Sequence, residues 1–177
     1  MLTTPKNMFP QLTEFRTRLK LNSDAVFVPV LPRTDSVPDN CTEDVERQVA
    51  ECGGEAVLGW MIWAWPGIMA EAVFHSIWRS PDGALLDVNR KADGEDRVLF
   101  LPDPKLTYTN ERIPTVRVAL RDHPLVQEFV HTADEFDAEF AAQYGRHFLG
   151  AVTLRGHLLE LDQRKNELEA RLLFLAR

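Results

Sequence analysis

The feature that most constrains the fold is a strand-forming stretch between Ala56 and Asn89, interrupted only by two turn signals. Its first run, residues 56–65, is apolar throughout and rich in tryptophan and β-branched side chains. Pro66-Gly67 breaks this run, and the next run ends at a turn that spans residues 81–83. Apolar runs of this length, separated by Pro and Gly turns, are typical of antiparallel hairpins. The middle of the chain is therefore predicted to form an antiparallel sheet.

Helical patterns lie on both sides of this sheet in the sequence. A short helix after Pro10 and a strand at residues 25–30 are predicted first, followed by a helix that begins at or next to Cys41 and stops at Gly53. Further strands are expected at residues 97–104 and 115–120. The predicted fold class is α+β: N-terminal helices packed on a four- to five-stranded antiparallel sheet, connected as a meander and followed by a C-terminal helical hairpin.

The C-terminal segment has two helical periodicities. Apolar residues at 125, 129, 133, 136 and 140 share one helix face. From residue 154 to residue 175 leucines recur with heptad spacing, broken once by Lys165. This seam either packs on the preceding helix within the chain or joins two copies as a homodimer through residues 154–175. The predicted domains are an α+β core over residues 1–122 and a helical hairpin over residues 123–177.

Charge and composition exclude several classes of protein. The 20 Lys and Arg residues against 27 Asp and Glu residues give a net charge of −7, and no basic run appears, so a nucleic acid is not an expected partner. The longest uncharged stretch is shorter than the ~20 apolar residues that cross a membrane, and no signal peptide is recognisable. Two cysteines do not make a disulfide scaffold. We expect a cytoplasmic protein with no cofactor and no metal.

Three residues with complementary chemistry follow one another along the chain. Cys41 opens a predicted helix, His75 lies within a strand, and Asp87 lies on the next strand. A helix N-terminus and a nearby imidazolium both lower the pKa of a thiol, which a cysteine nucleophile requires. The imidazole in turn needs a group that fixes its tautomer and orientation, and a neighbouring aspartate can do this.

The length of the turn decides whether His75 and Asp87 share a face of the sheet. With a three-residue loop, Ser80 pairs with Ala84. His75 and Asp87 then become diagonal neighbours on one face. A two-residue or four-residue loop instead puts Asp87 on the opposite face.

The order of these residues resembles the papain-like and transglutaminase-like cysteine enzyme superfamily. His75 to Asn89 is similar to the histidine strand, turn and aspartate strand of the transglutaminase-like branch, and the resemblance covers residues 40–89. It implies that Cys41 is the nucleophile, His75 the general base and acid, and Asp87 the orienting carboxylate. Asn89 is an alternative orienting residue, and Asn40 an auxiliary donor to the oxyanion. The implied reaction is hydrolysis or acyl transfer on an amide or ester, through a covalent acyl-enzyme, with a peptide or protein as substrate.

Other interpretations of the same residues stay open. A free cysteine is often only a small buried hydrophobic residue, and Glu43 and Asp44 would oppose ionisation of the Cys41 thiol. A zinc site is disfavoured because no two candidate ligands cluster in the sequence. Without catalysis, the chain would be an interaction or scaffold protein that associates through its leucine-rich C-terminal helix.

Four tryptophans lie in the predicted sheet. Trp63 and Trp65 are expected on one face of their strand, opposite Trp60. Aromatic side chains beside a cleft can stack on a substrate, so Trp63 and Trp65 are candidate substrate-binding residues. The alternative is that they fill the core of the sheet.

Overall fold

The computed structural model describes residues 2–38, 40–91, 94–146 and 151–175, which form an α+β fold. Its helices are α1 (Leu12–Leu19), α2 (Cys41–Cys52), α3 (Pro124–Tyr144) and α4 (Gly156–Leu175). Its strands are β1 (Val26–Pro29), β2 (Glu55–Trp65), β3 (Met69–Arg79), β4 (Leu85–Leu86), β5 (Arg97–Pro102) and β6 (Val116–Ala119). The predicted class, with helices before and after an antiparallel sheet, is confirmed.

The strand order differs from the expected meander. The order is β1-β5-β2-β3-β4, with β6 paired to β3, so β5 lies between β1 and β2 rather than beside β4. The reason is that the backbone after β4 already has a partner in the end of β1. The amide of Asp87 donates to the carbonyl of Pro29 at 2.9 Å, and the amide of Leu31 donates to the carbonyl of Asp87 at 2.8 Å. These bonds join the two ends of the strand order, so the sheet closes on itself.

The residues group into two compact units. The sheet unit contains the described residues within 3–63 and 72–107, and the helical unit contains Leu2, residues 64–71 and the described residues from 108 onward. The predicted division of the chain at residue 122 into two domains stays a prediction.

In the sheet unit, successive residues of β3 belong to two different apolar clusters. Ile77 packs with Phe100 and Val98 of β5 and with Val28 of β1. Trp78, its neighbour in sequence, packs in a second cluster together with Val45 of α2 and Val88. The two-residue period of a strand thus buries both faces of β3, one against other strands and one against α2.

In the helical unit, α3 and α4 pack together as the predicted helical hairpin. Trp65, Ile68 and Met69, at the turn between β2 and β3, join their core. Four residues of the leucine seam are buried within the chain: Leu158, Leu161, Leu168 and Leu172. The heptad pattern is therefore used inside the molecule, and association through residues 154–175 stays a prediction.

None of the helices in the described part of the chain combines the length and apolar character that crossing a membrane requires.

Candidate functional site

The hairpin of β3 and β4 has the register that brings its polar residues together. Trp78 pairs with Leu86, and the amide of Ser80 donates to the carbonyl of Ala84 at 2.9 Å. Gly83 takes φ +91°, a backbone conformation that side-chain-bearing residues rarely adopt. This confirms the three-residue loop, and with it the face shared by His75 and Asp87.

Helix α2 begins at Cys41, and its N-terminal turn is held to the rest of the sheet unit. Val45 of this helix is fully buried against Trp78 and Val88. Asp44 is also buried, and it accepts hydrogen bonds from Ser36 and Arg47. The helix is thereby anchored with its first residue, Cys41, beside β3.

Asn40 precedes the helix without capping it through its side chain. Its amide nitrogen instead donates to the Glu43 carboxylate at 2.7 Å. Glu43 and Asp44, the two carboxylates expected to oppose ionisation of Cys41, are therefore both engaged with other side chains.

Cys41, His75 and Asp87 come together in one row. The His75 Nε2 atom lies 2.8 Å from Asp87 Oδ2. The His75 ring also interacts with the Cys41 thiol, and this interaction lowers the pKa of the thiol and raises that of the imidazole. Because Nε2 faces the carboxylate, Nδ1 is the ring nitrogen left for the thiol. The backbone amide of Ser76 also lowers the pKa of the thiol.

Asn89 holds the carboxylate rather than the imidazole. Its backbone amide and its side-chain amide donate to Asp87 Oδ1 at 3.0 and 2.8 Å. The same side chain donates to the carbonyl of Ser76 at 3.2 Å, which ties it back to β3. In this arrangement Asp87 orients His75, and Asn89 orients Asp87.

Lys91 belongs to this cluster, although the sequence did not point to it. Its Nζ atom lies 2.7 Å from Asp87 Oδ2 and 3.2 Å from His75 Nε2, and its side chain is only 7% exposed. One signal was available: Asp87, Asn89 and Lys91 are spaced two residues apart, as on one face of a strand.

The charges of the row favour a thiolate and an imidazolium. Burial raises the pKa of the Cys41 thiol, but its hydrogen bond to His75 and the His75 charge outweigh burial, so its pKa lies below that of an ordinary thiol. Burial lowers the pKa of His75, but the Asp87 carboxylate more than compensates and raises it overall. Burial also raises the pKa of Asp87, yet His75 and Lys91 hold it far below its usual range.

The two candidate substrate-binding tryptophans are not equivalent. Trp65 is 5% exposed, packs edge-on against Phe129 in the helical unit, and lines a pocket of about 250 Å³ there. Trp63 is half-buried on β2. The row itself belongs to the sheet unit. A role of Trp63 and Trp65 in binding a substrate stays a prediction.

Across the residues that the structure describes, no group of three or more His, Cys, Asp and Glu side chains is arranged to hold a metal ion. At the row itself, the ammonium group of Lys91 lies against Asp87 Oδ2.

In comparisons with known proteins, the chain matches no protein-family model, no curated protein and no solved structure. The arguments about its chemistry therefore rest on the geometry of its own residues.

Proposed function

We propose that this protein is a thiol-dependent hydrolase or acyltransferase, similar to the papain-like and transglutaminase-like enzymes, that acts on an amide or ester. The supporting observation is the row in which the thiol of Cys41, at a helix N-terminus, interacts with the His75 ring, whose Nε2 atom lies 2.8 Å from Asp87 Oδ2. A thiol, an imidazole and an orienting carboxylate in this order are the components that nucleophilic catalysis by cysteine requires.

The reaction proceeds in two halves. The Cys41 thiolate attacks the carbonyl carbon, forming a C–S bond and placing a negative charge on the carbonyl oxygen. That oxygen re-forms the carbonyl as the bond to the amine or alcohol breaks, and the His75 imidazolium gives its proton to the leaving group. In the second half, His75 takes a proton from water or an acceptor amine, which attacks the thioester and releases Cys41.

The oxyanion of each half-reaction requires hydrogen-bond donors. The backbone amide of Cys41 is at the first position of α2, where amides have no partner within the helix. The Asn40 side chain is the auxiliary donor, and it would have to leave Glu43 to serve in this way.

Peptides or proteins are the proposed substrates. Both cysteines are free, consistent with the cytoplasm as the proposed location.

A labelling experiment separates this proposal from a scaffold role. Cys52 is exposed and Cys41 is half-buried, so access alone favours alkylation of Cys52. We expect iodoacetamide to modify Cys41 faster than Cys52 near pH 6, because a thiolate reacts and a thiol does not. Mass spectrometry of tryptic peptides measures both rates in one sample. His75→Gln should remove the advantage of Cys41.

A second measurement tests for the covalent intermediate. p-Nitrophenyl acetate should leave one acetyl group on Cys41 in the wild type and in Cys52→Ser, but not in Cys41→Ser. If Cys41 labels more slowly than Cys52 at every pH, and no acetyl adduct appears, the thiol is structural. The rival proposal, a scaffold that associates through α4, would then be the one to pursue.

A further inference from the structure

Lys91 occupies an unusual position for a lysine. Its side chain is 7% exposed, and its ammonium group approaches the same oxygen of Asp87 that faces His75. Burying a charged lysine without a partner is strongly unfavourable, and the Asp87 carboxylate, 2.7 Å from its Nζ atom, is the counterion here. The Asp87 carboxylate is consequently shared between two cationic partners, the imidazolium and the ammonium group.

We propose that Lys91 is a positioning residue of the thiol site: by sharing the Asp87 carboxylate with His75, it limits how tightly the imidazolium is held and so allows His75 to release its proton to a leaving group. This inference rests on the function proposed above. If Asp87 served His75 alone, the full attraction of a buried carboxylate would stabilise the imidazolium and make it a weaker acid. With Lys91 present, the row of thiolate, imidazolium, carboxylate and ammonium carries no net charge.

The direction of the effect follows from the sign of the charge. The ammonium of Lys91 lowers the pKa of both Cys41 and His75. Replacing it with a neutral side chain favours proton uptake at both groups, so both steps of the titration move to higher pH. A lysine that only filled space would leave these midpoints unchanged.

Among the residues that the structure describes, the other charged groups near the row are balanced or exposed. On α2, the Asp44 carboxylate is paired with Arg47, and Glu43 is exposed and bound to Asn40. Next to Asn89, Arg90 is exposed. Within the described parts of the chain, the charges that act on His75 are therefore those of Cys41, Asp87 and Lys91.

The test compares charge-removing and charge-keeping variants. Lys91→Met removes both the charge and the hydrogen bond. Lys91→Gln removes the charge and keeps a donor for Asp87, which makes folding less demanding. Lys91→Arg keeps the charge. Lys105→Met, at an exposed lysine of the sheet unit, is the matched control. For each variant, the rate of Cys41 alkylation by iodoacetamide is measured from pH 4 to pH 10.

We expect the midpoint of Cys41 alkylation to rise by on the order of one pH unit in Lys91→Met and Lys91→Gln, and to stay in place in Lys91→Arg and Lys105→Met. A wild-type midpoint in either neutral variant would overturn the proposal. If neither neutral variant folds, NMR spectroscopy of the wild type tests the coupling between Lys91 and His75 instead. The chemical shift of the Lys91 ammonium group should change as His75 titrates, and a chemical shift that stays constant through this titration would contradict the proposal.

The same data show which inference fails. A wild-type Cys41 that titrates like a free thiol contradicts the proposed enzyme as a whole. A wild-type Cys41 with a low midpoint that no Lys91 variant alters contradicts only the role of Lys91.

Discussion

At the scale of single residues, the candidate site is organised around one carboxylate. Asp87 is fully buried, with His75 and Lys91 against one oxygen and two amide groups of Asn89 against the other. A carboxylate has about four acceptor positions, and these contacts use all of them. Asp87 consequently fixes the position of the imidazole and neutralises the buried lysine at the same time.

Asp87→Asn should reduce both reactivity and stability. The amide cannot accept at all four positions and carries no charge, so His75 and Lys91 lose their counterion. We expect the alkylation midpoint of Cys41 to rise and the free energy of unfolding to fall by about 3–5 kcal/mol, as when one partner of a buried ion pair is removed. Urea denaturation and the alkylation profile measure the two effects.

Asp82→Asn is the matched control for this change. Asp82 lies in the turn of the same hairpin, where it is exposed and accepts from Ser80. The Asp82→Asn substitution should leave the alkylation midpoint of Cys41 and the free energy of unfolding close to their wild-type values. Similar losses in the two variants would mean that the hairpin turn, and not the buried carboxylate, supports the site.

At the scale of elements, helix α4 shows how a heptad pattern can serve a single chain. Leu168 and Leu172 are completely buried in a cluster with Val126 and Phe129 of α3. Lys165, which interrupts the seam, places its Nζ atom 4.5 Å from the centre of the Phe136 ring. A cation can lie over an aromatic face while its aliphatic stem packs on apolar neighbours, so the interruption does not break the helix pair.

Leu168→Ala should destabilise the protein by about 2–5 kcal/mol, because it removes buried methyl groups and leaves a cavity. Leu173→Ala, on the same helix at a position that is 50% exposed, should change stability by at most about 0.5 kcal/mol. Thermal unfolding, monitored by circular dichroism, measures the stability of both variants. Equal losses of stability in the two variants would indicate that Leu173 is covered by another molecule, as in an association of two copies through residues 154–175.

At the scale of the whole molecule, the buried charges of the row link stability to pH. The pKa of Asp87 in the folded protein is far below 3.8, its ordinary value, so its stabilising contribution is complete above about pH 3.8. As the pH falls below this value the unfolded chain binds a proton that the folded protein does not, and stability declines. The sheet unit should therefore be sensitive to acid.

We expect the free energy of unfolding, measured in urea between pH 2 and pH 6, to fall more steeply below about pH 4 in the wild type than in Asp87→Asn. Asp24→Asn, at a side chain that is 85% exposed, should keep the wild-type slope. A slope in Asp87→Asn that equals that of the wild type would contradict the assignment of acid sensitivity to Asp87.

Much of the local structure could be predicted from the sequence. Glycine and proline determined the turns, the loop of residues 81–83 set the register of His75 against Asp87, and leucine spacing predicted the helical hairpin. Such features depend on neighbours within a few residues, where backbone preference and side-chain period act directly. Local patterns likewise placed Cys41 at the start of a helix and His75 and Asp87 on neighbouring strands.

Only the tertiary structure decided which distant segments meet. The end of β1 pairs beside Asp87, which leaves β5 to pair with β2 and closes the sheet on itself. The burial of Lys91 also depends on the tertiary structure, because a lysine side chain is buried only where folding places a counterion, here Asp87, beside it. Pairings of this kind are settled by competition among all available strands and charges, and a local pattern does not encode the outcome of that competition.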